Sequence, residues 1–323
     1  MAKGIFTQSM CLLTNGQAKM EDIRLALQAG GFEIIKEVMS KQNACFGGPT
    51  LVIPFLPEVN GYVAVDVVSE SWPDTMGDPK LDPMTFGAWS TGHFGPLAYP
   101  GGLKRAGEHA WAWQEGRSVP KSHRGFIRIR LSYTFGAKAD DPIFPEGYDP
   151  CGELRFLSRV ASVLFDVPGV ICYFNPNGEV LRGHLSFKEI LDTCTKEGNI
   201  PLPLWANVRF FRFNDKFSFM DTVGNAQLDL RDIEVVFPSD GYAPGDIDYY
   251  LRNVTHYLLE MGRDIRTWEA IDGPGESNLS WTVEALDEGT LEPPRAVLRL
   301  YPKANGKEVQ ELIASTKHQS GQA

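Results

Sequence analysis

Asp66, Glu70, Asp74, Asp78 and Asp82 recur at every fourth position. On a helix that spacing would stack five carboxylates on one face, the raw material of a hard-cation site. Pro73 and Pro79 fall inside the run and forbid such a helix. No calcium-loop pattern is present either, so no metal ligands are expected. His93, His109 and His123 offer imidazoles, but the short-spaced pair of a zinc site is missing. Hydrogen-bonded structural or surface roles are expected for them. His184 and His256 are isolated. There is no GxSxG elbow, no reactive-cysteine signature, no GxxxxGK[ST] and no GxGxxG opening a helix. No catalytic residue and no cofactor is therefore expected. Asp221 and Glu234 would form an acid–base pair only if the fold brought them together.

The aromatic residues are the other resource. Among seven tryptophans, Trp72 and Trp89 lie with Asp74 in a Gly-, Pro- and aromatic-rich stretch, 71–102. Trp268 and Glu269 lie before a turn among charged residues. These five are the candidate binding residues, because Trp is enriched where proteins meet. The stretch 71–102 is expected to be an ordered Ω-like loop, mainly structural, with a share in a binding edge.

The elements that must carry these residues follow from periodicity. Strand patterns cover 4–13, 32–38, 50–56, 61–68, 126–135, 169–174, 203–213, 216–223, 232–237, 278–286 and 295–301. In 126–135 the alternation puts Ile127, Ile129, Leu131, Tyr133 and Phe135 toward a core and Arg128, Arg130, Ser132 and Thr134 away from it. Helix patterns cover 20–29, 103–116, 151–166 and 246–261. Asp149-Pro150 suits the start of the third. A capping box from Ser186 to Glu189 opens a further helix to about Lys196. Strands in runs with helices between them predict an α+β fold of largely antiparallel sheets covered by helices. The segment 136–152, rich in Pro, Gly and Asp, predicts a boundary. The expected organisation is an N-terminal lobe 1–140, a C-terminal lobe 141–302 of similar size, and a polar tail 303–323.

The chain has 323 residues and a net charge of −10. That sign argues against nucleic acid or a membrane surface as partner and permits a basic protein. Five cysteines without a CxxC read as reduced core thiols. With no signal-like N-terminus and no run long enough to span a membrane, a cytoplasmic location is expected.

In order along the chain, WPDTMGDP, FGAWSTGHFGPLAYPGGLKRA, YFNPNGEVL, PLWANVRFF, MDTVGNAQLDLRDIEV, LRNVTHYLLEMG and PPRAVLRL resemble the bacterial domain-of-unknown-function 4261 family. The likeness is most specific over 203–300. It implies a fold type and no reaction. The family's Asp-Gly-Asp-Thr turn is replaced here by Thr267-Trp268-Glu269-Ala270.

These observations lead to the expectation of a non-enzymatic protein-binding protein. Its most concrete form is a cytoplasmic immunity protein that neutralises a bacterial competition toxin, such as a basic nuclease. The rival expectations are an enzyme whose pocket is walled by Asp74, His93, Asp221 and Glu234, and a self-associating scaffold.

Overall fold

The computed structural model describes residues 3–41, 43, 45–111, 113–138, 142–262, 265–275 and 280–320. The chain divides into two compact units, Met1–Asn207 and Val208–Ala323.

The first unit is built on a seven-stranded antiparallel sheet. Its strands are β1 (Gln8–Thr14), β2 (Lys36–Val38), β3 (Thr50–Leu56), β4 (Gly61–Val68), β5 (Gly125–Ser132), β6 (Val170–Asn175) and β7 (Val180–Gly183), in the order β2-β3-β4-β5-β1-β6-β7. Its helices are α1 (Met20–Ala29), α2 (Pro83–Ser90), α3 (Gly102–Glu108), α4 (Val119–Ser122), α5 (Pro150–Leu164), α6 (His184–Glu197) and α7 (Leu202–Trp205).

Val65, Ile129 and Met10 face the same way across β4, β5 and β1. They are fully buried, and α5 packs on β1 and β5 over this face. The amphipathic stripe of α5, Leu154, Leu157, Ala161 and Leu164, is buried as its spacing requires. The opposite face carries Cys11, Leu13, Val68, Phe126 and Phe174. These pack with Trp72, Trp89, Phe94 and Leu103 from the segment that follows β4.

The second unit has six strands: β8 (Asn207–Arg212), β9 (Phe217–Val223), β10 (Asp232–Pro238), β11 (Ala270–Asp272), β12 (Ser280–Leu286) and β13 (Val297–Pro302), in the order β11-β12-β13-β10-β9-β8. β10 and β13 run parallel, while β9–β10, β11–β12 and β12–β13 are antiparallel. Helix α8 (Pro244–Met261) buries Ile247, Leu251, Val254 and Leu258 against one face. Helix α9 (Gly306–Ser320) buries Val309 and Ile313 beside Phe219 and Tyr301.

The α+β expectation holds, with mostly antiparallel sheets. Several particulars differ. Strands β6 and β7, placed by the sequence in a second lobe beginning at 141, add to the edge of β1, with Leu12 opposite Tyr173. The division falls after Asn207, and the two units are unequal in length. The tail after 302 forms α9, because Val309 and Ile313 supply an apolar stripe. The helix expected over 103–116 stops at Glu108, with a 3-10 turn at Gln114–Arg117. Helix α6 opens at His184 with Gly183 as its N-cap, so Ser186 and Glu189 are not its capping box. Residues 278 and 279, expected in a strand, lie outside the described residues.

Candidate functional site

β4 is almost wholly apolar, GYVAVDVV, yet it carries Asp66. In register, Asp66 faces Arg128 and Ala64 faces Arg130. An ionised carboxylate cannot stay buried without counter-charge, and the two arginines supply it. Arg128 Nη2 donates to Asp66 Oδ2 at 2.9 Å and Arg130 Nη2 donates to Oδ1 at 2.8 Å. Arg128 Nη1 donates to the Cys45 carbonyl at 3.0 Å. All three side chains are buried: Asp66 and Arg128 are 0% exposed and Arg130 4%. The alternation that placed Arg128 and Arg130 away from a core was right about sidedness and wrong about exposure. The 71–106 segment and the turn around Asn43–Gly47 cover that side.

The turn must come close. Gly47 adopts φ +113°, and a Cβ there would sit 2.9 Å from both Arg128 Nη2 and Asp66 Oδ2. A glycine is required on both counts.

His93 completes the group. Arg130 Nη1 lies 2.9 Å from its Nδ1. A guanidinium can only donate, so Nδ1 accepts and the ring proton sits on Nε2. Burial, reinforced by the two guanidiniums, pushes the imidazole down to about 4, so the ring is neutral at pH 7. Burial also pulls Arg130 down to about 10, helped by Arg128. Burial would raise the Asp66 carboxyl, but Arg128 and Arg130 outweigh it and hold it low. The cluster therefore keeps two positive charges against one negative.

His93 and Arg130 line a cavity of about 580 Å³. Its walls include Phe6, Ile35, Val38, Phe46 and Val52, with Lys36 also lining it. Phe6 and Phe46 meet the His93 ring edge-on at 5.3 and 5.0 Å. The Arg130 guanidinium lies 4.6 Å from the Phe6 ring centre.

The second unit holds a longer row of buried charge. Asp221, Glu234, Arg299 and Glu284 are register neighbours across β9, β10, β13 and β12. Arg209 donates to both Asp221 oxygens, at 2.9 and 2.6 Å. Arg295 Nη2 donates to Asp221 Oδ2 at 2.6 Å, and its Nε lies 3.4 Å from Asp232. Arg299 Nε donates to Glu234 Oε1 at 2.5 Å, and Thr290 Oγ1 donates to that same oxygen at 2.9 Å. Asp221 and Glu234 are thus neighbours, but each is occupied as an acceptor for arginine. Burial would raise Asp221, yet Arg209 and Arg295 hold it below the usual carboxylate range. This is a structural ion ladder, and Asp221 stays ionised at pH 7.

The sequence-nominated residues are placed as follows. The Trp72 indole is buried at 5.2–5.3 Å from Phe94, Phe126 and Phe174. Its backbone N–H donates to His123 Nε2 at 2.8 Å. Trp89 is buried against Trp72 and Phe94. Asp74 accepts from the backbone N–H groups of Leu103 and Lys104 at the start of α3. Trp72, Asp74 and Trp89 therefore hold the loop to the core. Trp268 is 67% exposed at φ 69°, and its N–H donates to the Val283 carbonyl. Glu269 Oε2 accepts from the Arg266 N–H.

The carboxylate ladder disperses into local tasks. Asp78 closes a turn onto Lys80 and Leu81, and Asp82 caps α2 through Thr85. Among the described residues, no three His, Cys, Asp or Glu side chains gather to hold a metal, and no helix is long and apolar enough to cross a membrane. Of the four proposed enzyme-pocket walls, His93 lines a cavity that also contains buried charge. The sequence did not single out Arg130. The available signal was a lone Asp in a valine-rich strand, with arginines two apart in a neighbouring strand.

This geometry defines an α+β protein of two units, each with charge buried on one sheet face. Residues 221–301 match the family model of a domain of unknown function (DUF4261). The matched span holds all of the second unit's ion ladder except Arg209. No curated protein and no solved structure matches the chain.

Proposed function

We propose that the protein acts by binding another protein and, in the finer form of this reading, that it is a bacterial immunity protein neutralising a toxin in the cytoplasm. The observation that carries the reading is an apolar edge. β2 is the terminal strand of the first sheet. Around it Ile35, Val38, Met39 and Phe46 are 48%, 40%, 75% and 44% exposed. An open strand edge beside exposed apolar side chains is the kind of surface a partner strand can extend. The net charge of −10 favours a basic partner by speeding encounter. The carboxylates nominated for acid–base work are bound to arginines, which supports binding over catalysis.

The test is capture from the native host with the parent, Met39→Glu and Trp268→Ala proteins, read by mass spectrometry. The expected result is one stoichiometric partner retained by Trp268→Ala and lost with Met39→Glu. A basic nuclease inhibited on mixing would support the immunity reading. Capture that Met39→Glu leaves intact would remove the β2 edge as the interface. A dimer in light scattering that Met39→Glu dissociates would replace a foreign partner with a second copy of this chain.

A further inference from the structure

We propose that the cavity over His93 and Arg130 is a binding site for a small monoanion with an apolar body, an aryl or alkyl carboxylate. The inference does not rest on the protein-binding reading. Three features carry it. First, the floor is positively charged: Arg130 lines it, Arg130 and Arg128 share the one carboxylate of Asp66 beneath it, and all three are buried. The buried groups carry one surplus positive charge, which one carboxylate would match.

Second, two donors beside the cavity are unused. Arg130 Nε is buried with no hydrogen-bond partner, an arrangement that is costly unless something fills it. The His93 ring carries its proton on Nε2, which makes no hydrogen bond among the described residues. A neutral imidazole N–H beside a guanidinium can share a carboxylate with it. Third, the walls are apolar and aromatic, and about 580 Å³ accommodates a small organic acid. Phe6 and Phe46 can flank a ring, and Lys36 adds positive potential.

The same chemistry occurs at the C-terminal residue of a polypeptide, so the experiment separates the two sources. Calorimetric titration of the full chain would use 3-phenylpropionate, 3-phenylpropionamide, and N-acetyl-Gly-Phe with a free or amidated C-terminus. The expected result is 1:1 binding of 3-phenylpropionate, with the amide at least about tenfold weaker because it lacks the charge. Val52→Trp fills the cavity and should abolish binding without lowering the melting temperature. His93→Phe should weaken binding about tenfold while keeping the aromatic contacts. Arg130→Ala would leave Asp66 short of a partner and is not used.

Binding of only the free-acid peptide would support the anion site and assign it to a chain terminus. The proposal is overturned if neither acid binds at millimolar concentration, if acid and amide bind alike, or if Val52→Trp binds unchanged. Failure here is separable from failure of the protein-binding reading: Val52→Trp should still capture the partner, and Met39→Glu should still bind the carboxylate.

Discussion

Glu153 shows how much a single buried group can shape the response to pH. It lies on the face of α5 that packs onto β1 and is 0% exposed. Thr7 Oγ1 donates to it at 2.9 Å. Burial raises its carboxyl to about 7, against the opposing pull of hydrogen bonds from Tyr133 and Thr7. In the unfolded chain the group titrates near 4.3. The folded state thus holds a proton that the unfolded state has released between these values. This contribution to stability is complete below about pH 4, drains as the pH rises toward 7, and is gone above it. Glu153→Gln keeps an acceptor for Thr7 and removes the titration. Relative to the parent, the variant should gain on the order of 3 kcal/mol between pH 4 and pH 8, measured by urea denaturation at each pH. A difference that stays flat across that range would show that Glu153 is not shifted. His93 runs the other way. Its folded value of about 4 lies below the ordinary 6.5, so its contribution is present above about pH 6.5 and is lost as the pH falls toward 4. The two trends partly offset in the parent, so they become visible only in single variants.

At the scale of elements, local chemistry was readable and long-range company was not. Asp149-Pro150 opens α5 as the sequence indicated: Asp149 Oδ1 accepts from the Cys151 N–H at 2.9 Å, and proline takes the first helical position. Asp149→Ala should cost about 1 kcal/mol. An unchanged denaturation midpoint would mean that α5 is held by packing alone. The alternation in β4 and β5 likewise named the correct faces, because a two-residue period is a local property. What covers a face is not local. Arg128 and Arg130 are buried because residues well before them in the chain, His93 37 positions before Arg130 and Cys45 83 before Arg128, fold back over them, and no window around 126–135 contains that fact. The boundary near 140 failed for the same reason. Pro, Gly and Asp do mark an irregular connection there, but β6 returns to pair with β1 across more than 150 residues and keeps the chain in one sheet. Of the ligand site, Asp66 and His93 were visible as chemistry-bearing residues. Their common partner was hidden, since an arginine in a strand looks the same whether it meets water or a buried carboxylate.

At the scale of the whole molecule, each unit has its own sheet, core and arginine-bound aspartate. This predicts two separable thermal transitions. Asp66→Asn leaves two buried guanidiniums without their anion, and Asp221→Asn takes the anion from Arg209 and leaves Arg295 with Asp232 alone. Removing one partner of a buried ion pair costs about 3–5 kcal/mol. In differential scanning calorimetry each substitution should lower one transition and leave the other in place. A single peak that moves with both substitutions would show that the units unfold together.

The strand order of the second sheet also bears on how the chain emerges from the ribosome. β13 is made after every other strand of that sheet, yet it sits between β12 and β10. Until it is synthesised, β10 and β12 each present a naked edge, and the acids Glu234 and Glu284 wait for Arg299. A nascent chain paused before Val297 is therefore the form most exposed to illicit strand pairing, and the form for which a chaperone holding the growing chain would matter most.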